Sequence, residues 1–126
     1  TGEIIVVDYK SQASSYEVNT RYYLASAYHQ GYKIQMDFYA YLLTEMGFCV
    51  SDTSYFLVCN ADRGAEGFYG KLTFSETLVP YEHNIDWIPS KLDDMIDTLN
   101  DNQIPLSHDS CENCAYARHR SVYDNI

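Results

Sequence analysis

Residues Ile4 to Val7 are apolar and β-branched at every position, and the chain then passes directly into Asp8, Tyr9 and Lys10. Continuous β-branched runs suit a strand covered on both faces, which belongs at the centre of a sheet. A carboxylate at the end of such a strand is held rigidly, and a hard cation such as magnesium selects rigid oxygen ligands. Asp8 is therefore a candidate metal ligand, with the Tyr9 backbone carbonyl beside it. Lys10 alternates back to the side of Asp8, where its charge could orient a water or stabilise a phosphate. The plain alternative is an exposed Asp8–Lys10 ion pair worth about 0–1 kcal/mol.

Downstream periodicity sets the architecture. Residues 11–31 show no clean period and read as a loop followed by a short helical piece. Ile34, Phe38, Tyr41, Leu42 and Met46 follow helical spacing, and Gly47 stands where a helix stops. "SYFLVCN" predicts a second buried strand, and "KLTFSETLV" a half-exposed one with Leu72, Phe74 and Leu78 on its apolar face. Gly64, Gly67 and Gly70 between them predict a loose antiparallel hairpin. Ile88, Leu92, Ile96 and Leu99 give a second amphipathic helix with Pro89 in its first turn. The order is strand, helix, strand, strand, helix: an α/β or α+β fold with a mixed sheet. The expected organisation is one domain over residues 1–126, with a polar C-terminal tail from residue 101 onward.

A chain of 126 residues with 46% hydrophobic content and only 3 prolines and 6 glycines is globular. No apolar run reaches the roughly 20 residues of a membrane span, and the first residues lack signal-peptide character; the expected location is the cytoplasm. On that footing the four cysteines read as thiols or metal ligands rather than a disulfide framework, with Cys49 and Cys59 as core residues. Eighteen acids against 8 bases leave a net charge of −10, which disfavours a polyanionic partner. Residues 1–39, however, hold four acids and three bases and carry only −1. That near-neutral front can face nucleic acid with a cation bound.

Gln35 and Tyr39, four apart in "QMDFY", share one helix face, where an amide and a phenol can reach a metal-bound water, a lysine or a phosphate. Alternatively Gln35 is solvated and Tyr39 is a core aromatic. Of the 13 tyrosines, Tyr22, Tyr23 and Tyr28 are the candidates for stacking on single-stranded bases, against a packing role.

"VVDYK", then "QMDFY", then "CENCAY" in this order resemble the PD-(D/E)xK nuclease superfamily, and more closely its RecB-like exonuclease branch. That branch has an apolar strand ending in D-Y-K, a helix bearing Q-x-x-x-Y and a closing C-x-x-C-x-Y. The resemblance runs from Glu3 to Tyr116. It implies a restriction-endonuclease-like core and a DNA nuclease dependent on Mg2+ or Mn2+, acting as an exonuclease in repair or recombination. Asp8 becomes a metal ligand with the Tyr9 carbonyl, Lys10 the catalytic lysine, and Gln35 and Tyr39 the pair that positions lysine or phosphate.

Two departures qualify these expectations. The family's first metal-binding acid lies on a strand preceding D-x-K, so the sequence resembles the later part of a nuclease domain and is expected to be inactive alone. Glu3 cannot replace that acid, because five residues of strand cover about 16 Å. Asp37 lies about 200° around the helix from Gln35 and faces away. The missing acid could come from another copy in a homo-oligomer. Secondly, Cys111 and Cys114 match two of the four ligands of the branch's iron–sulfur cluster, so a cluster is not expected in this chain, and zinc with His108 and His119 fits poorly. The alternatives are a non-catalytic nuclease-fold module serving other repair proteins or DNA ends, and an acidic protein-interaction domain.

Overall fold

The computed structural model describes residues 2–123. The described residues separate into two compact units, divided between Ile88 and Pro89. In the first, β1 (Val7–Ser14) leads through α1 (Thr20–Ala25), a 3-10 turn (Ala27–His29) and α2 (Gln30–Glu45) to β2 (Thr53–Asp62) and β3 (Phe74–Glu82). The sheet order is β1-β2-β3, with β1 parallel to β2 and β2 antiparallel to β3. This is the mixed α/β architecture expected of a restriction-endonuclease-like core. No helix among the described residues is long and apolar enough to cross a membrane.

The central strand is β2, not the first one. Ile4 makes an isolated bridge to Val50 and precedes β1. Ile5 and Val7 are more than half exposed, because the sheet face that carries them lies opposite the core. Strand pairing also extends well beyond the apolar run: Ser11 to Ser14 pair with Cys59 to Asp62, although "SQAS" has little strand preference of its own. On β3 the buried residue is Val79, while Phe74 and Leu78 lie on the exposed face. That open side of the sheet, with Ile5, Val7, Tyr9, Phe74 and Leu78, is apolar and more than half exposed at each position.

The core lies between the other sheet face and the helices. Val6, Tyr23, Met36, Phe56, Val58 and Val79 form one buried cluster. Helix α2 lies over it with Met36 and Ala40 fully buried, one turn apart on the same face. This orientation sends the two flanks of α2 in opposite directions: Gln35 contacts Lys10 on β1, whereas Asp37 contacts Tyr81 on β3. The buried Asp37 accepts from the Tyr81 hydroxyl (3.0 Å), the Asn84 backbone N–H (3.1 Å) and Trp87 Nε1 (2.9 Å). Burial, the hydrogen bond to Asp37 and its charge raise the Tyr81 hydroxyl above the ordinary phenol value.

The end of α2 is set by Gly47 at φ +88°, a conformation that costs an L side chain but not glycine. Its N–H donates to the Thr44 carbonyl (2.9 Å) and the Phe48 N–H to that of Leu43 (3.1 Å). This paired pattern satisfies carbonyls that a helix otherwise leaves open. At the start of α1, the Asn19 side chain accepts from the Tyr22 N–H.

The second unit holds most of α3 (Ile88–Asn100) and α4 (Glu112–Tyr123). Along α3, Met95, Ile96 and Leu99 are more than half exposed. The polar tail is partly helical: α4 begins one residue after Cys111. Cys111 and Cys114 are joined in a disulfide with Cα atoms 5.2 Å apart, rather than standing as separate thiols. The first turn of α4 explains the pairing, because residues three apart on a helix share a face. Of the two free cysteines, Cys59 is buried, as expected of a core residue, but Cys49 is exposed, because it follows α2 just past its glycine stop.

Candidate active site

Asp8 and Lys10 occupy the half-buried face of β1, turned toward the helices. They sit level with Phe56 and Val58 of β2, both fully buried, so the strand is fixed from the core side. Lys10 Nζ lies 2.8 Å from Asp8 Oδ2. It also donates to Gln35 Oε1 at 2.8 Å, and Gln35 Nε2 donates to the Tyr39 hydroxyl at 2.7 Å. An ammonium can only donate, which requires the amide oxygen of Gln35 to face Lys10 and its NH2 to face Tyr39. The four side chains singled out in the sequence thus form one connected chain, from Asp8 through Lys10 and Gln35 to Tyr39.

A family model for the PD-(D/E)XK nuclease superfamily matches residues 1–119. The chain belongs to that superfamily. No curated protein and no solved structure matched it. Membership gives a context for an acid and a base two residues apart on one face of β1: this superfamily generally acts with divalent metal, and its substrate class is DNA.

Asp8 Oδ2 is buried and has no hydrogen-bond donor. The Lys10 ammonium, 2.8 Å away, balances its charge as an ion pair. A carboxylate oxygen is a hard ligand of the kind magnesium or manganese takes. Asp8 fits a divalent cation as one ligand. Among the described residues no group of three or more His, Cys, Asp or Glu side chains converges to hold a metal ion.

The remaining candidates are distributed differently. The Tyr9 side chain projects to the opposite, exposed face of β1, where a hydrogen bond to Cys59 and the Cys59 charge, then burial and Glu76, raise its hydroxyl above the usual value. Only the Tyr9 backbone belongs near Asp8. Glu3 is exposed outside β1, and Asp37 is committed to Tyr81, Asn84 and Trp87 on the far flank of α2. Cys111 and Cys114 lie in the second unit and, bonded to each other, offer no thiolate. Of the three tyrosines considered for base stacking, Tyr22 and Tyr28 are 76% and 94% exposed, whereas Tyr23 is a core residue.

Sequence reasoning missed an aromatic wall beside the lysine. Lys10 Nζ sits 4.3 Å from the centre of the Tyr32 ring. Tyr32 stacks on His29 at 5.3 Å, and His29 packs on Tyr23 at 4.1 Å. The Tyr23 hydroxyl is buried with no hydrogen-bond partner. Burial, then Tyr32, then the Asp8 charge push it up to about 12. The available signal was spacing: Tyr32 is three residues before Gln35 and shares its helix flank.

Proposed function

We propose that this chain carries the D-x-K and Q-x-x-x-Y part of a divalent-metal-dependent DNA nuclease, an exonuclease of the RecB-like kind acting in repair or recombination. The observation that carries the reading is the Lys10 ammonium, held 2.8 Å from both Asp8 and Gln35. A bound cation would supply Lewis-acid activation of water and neutralisation of charge on the phosphate. Asp8 offers that cation a carboxylate oxygen, with the Tyr9 carbonyl as a neighbouring ligand. Lys10 keeps at least one N–H for a phosphate oxygen, where its charge opposes the negative charge that grows during displacement. Gln35 fixes the lysine's direction. Tyr39, whose oxygen accepts from Gln35, retains its own hydrogen to donate to the same phosphate.

A second reading is a nuclease-fold module without catalysis, favoured because among the described residues no three His, Cys, Asp or Glu side chains converge around Asp8. One ligand tethers a cation loosely and cannot hold it to the fraction of an ångström that displacement needs. The 126-residue chain alone is therefore expected to bind Mn2+ weakly and to cleave DNA little or not at all. Paramagnetic broadening by Mn2+ should centre on Asp8 and disappear in Asp8→Ala. Activity with single- or double-stranded DNA should appear once the missing acidic ligands are supplied by a longer chain or a partner. It should then be lost in both Asp8→Ala and Lys10→Ala. Cleavage that survives Lys10→Ala rules out the proposed site, and a fully assembled but inactive protein favours the non-catalytic module.

A further inference from the structure

We infer that Tyr32 is a positioning residue for Lys10, giving the ammonium a seat that does not depend on Asp8. The inference rests on the assignment of Lys10 as the phosphate-facing lysine. As described above, Asp8 has two competing claims on the same oxygen: the lysine at 2.8 Å and any cation it is to hold. When the carboxylate turns to a cation, the lysine loses its ion pair and gains a like-charged neighbour. Gln35 alone then retains it through one hydrogen bond, and a flexible four-carbon stem is poorly fixed by one bond.

The Tyr32 ring face answers this requirement. It attracts the ammonium through its quadrupole at 4.3 Å, within the range for cation–π contact, and it leaves the hydrogen bond to Gln35 in place. The ammonium has three donors; with one on Gln35 and one turned to the ring face, one remains for substrate. The ring is itself fixed. It packs against the core cluster and stacks on His29 with planes 16° apart. His29 Nδ1 lies 2.7 Å from the Tyr23 carbonyl, which only accepts, so Nδ1 carries a hydrogen and the imidazole is locked in place. Tyr23 is anchored in turn by burial against Phe56 at 5.9 Å. The wall therefore runs from the centre of the core to the underside of the lysine.

The test is read by NMR on the whole chain without metal or DNA. In the wild type, the Lys10 Hε protons should be shifted upfield of the other lysines by the ring current, and Lys10→Met identifies the signal. Tyr32→Phe keeps the ring and should keep the shift. Tyr32→Leu should return Lys10 Hε to the position of an exposed lysine while the Val58 and Val79 methyls keep their nuclear Overhauser contacts to Phe56, which separates loss of positioning from a disturbed core. Gln35→Ala should leave much of the shift in place. Adding Mg2+ should not abolish it. An unshifted Lys10 in the wild type, or a shift that survives Tyr32→Leu, overturns the inference. If Tyr32→Leu fails to fold, the wild-type shift and its retention in Tyr32→Phe still decide the matter. A shifted Lys10 in a protein whose DNA cleavage ignores Lys10→Ala would leave Tyr32 as its seat and refute the nuclease assignment instead.

Discussion

Removing the Asp37 carboxylate should destabilise the first unit more than any change at the lysine, because Asp37 ties three elements together. Its two oxygens accept from Tyr81 on β3, from the Asn84 backbone and from Trp87 just before α3. Hydrogen bonds to a charged group contribute about 1.5–3 kcal/mol each, but three donors around one carboxylate are not additive. Two of the donors belong to half-buried side chains that can turn toward water. Asp37→Ala is therefore expected to cost about 3–5 kcal/mol, a large share of the roughly 5–15 kcal/mol available to a small protein. Asp37→Asn keeps an oxygen for Tyr81 and Asn84 but places an NH2 against the Trp87 N–H, for a loss of about 1–3 kcal/mol. Urea unfolding followed by fluorescence of Trp87, the sole tryptophan, and in parallel by far-UV circular dichroism measures both. Tyr81→Phe should cost less in the Asp37→Ala background than in the wild type. A loss below about 1 kcal/mol for Asp37→Ala, or equal costs of Tyr81→Phe in the two backgrounds, would refute the reasoning.

Phe56 is fully buried between Tyr23 and Tyr81, and Phe56→Ala should cost about 3–5 kcal/mol in the same urea assay. Raising the pH should weaken the fold through Tyr81 and Tyr23, whose folded-state values are raised. Their contribution is fully present below the ordinary phenol value near 10 and is lost as pH climbs through the folded values, about 12 for Tyr23. Stability measured from pH 8 to 12 should fall chiefly above pH 10, and Tyr81→Phe should flatten part of that fall; an unchanged slope would show that Tyr81 ionises freely.

The placement of the four candidate side chains was legible because it is encoded by short spacings. D-x-K returns two side chains to one face of a strand, and Q-x-x-x-Y stacks two on one face of a helix; neither needs knowledge of the partner element. The glycine stop of α2 and the β2–β3 hairpin were legible for the same local reason. Pairing partners were not. Ile4 to Val7 looked like a central strand because hydrophobicity says nothing about which neighbour supplies the cover, and "SQAS" joins β1 only because Cys59 to Asp62 lie alongside. The face of β3 was misread because Leu78 and Val79 are equally apolar, and the packing of α2 decides which is buried. Helix α4 has too few apolar positions to show a period. Tyr32 was hidden among 13 tyrosines, since nothing in a sequence marks which ring lies beneath a lysine.

The position of β1 at the side of the sheet has a consequence for the order in which the protein comes apart. Its backbone is held by hydrogen bonds to β2 alone among the described strands, whereas β2 is held from both sides. Strands bonded on one side open at lower free energy than those between two neighbours. Asp8 and Lys10 ride on that strand, while Tyr32, Gln35 and Tyr39 ride on a helix capped at its far end and packed on the core. Amide hydrogens of β1 should accordingly exchange with solvent well before those of Phe56 or Val58. Asp8 and Lys10 should thus leave Tyr32 and Gln35 while the rest of the unit is still folded, so that the candidate site is expected to open on warming before the cooperative melt.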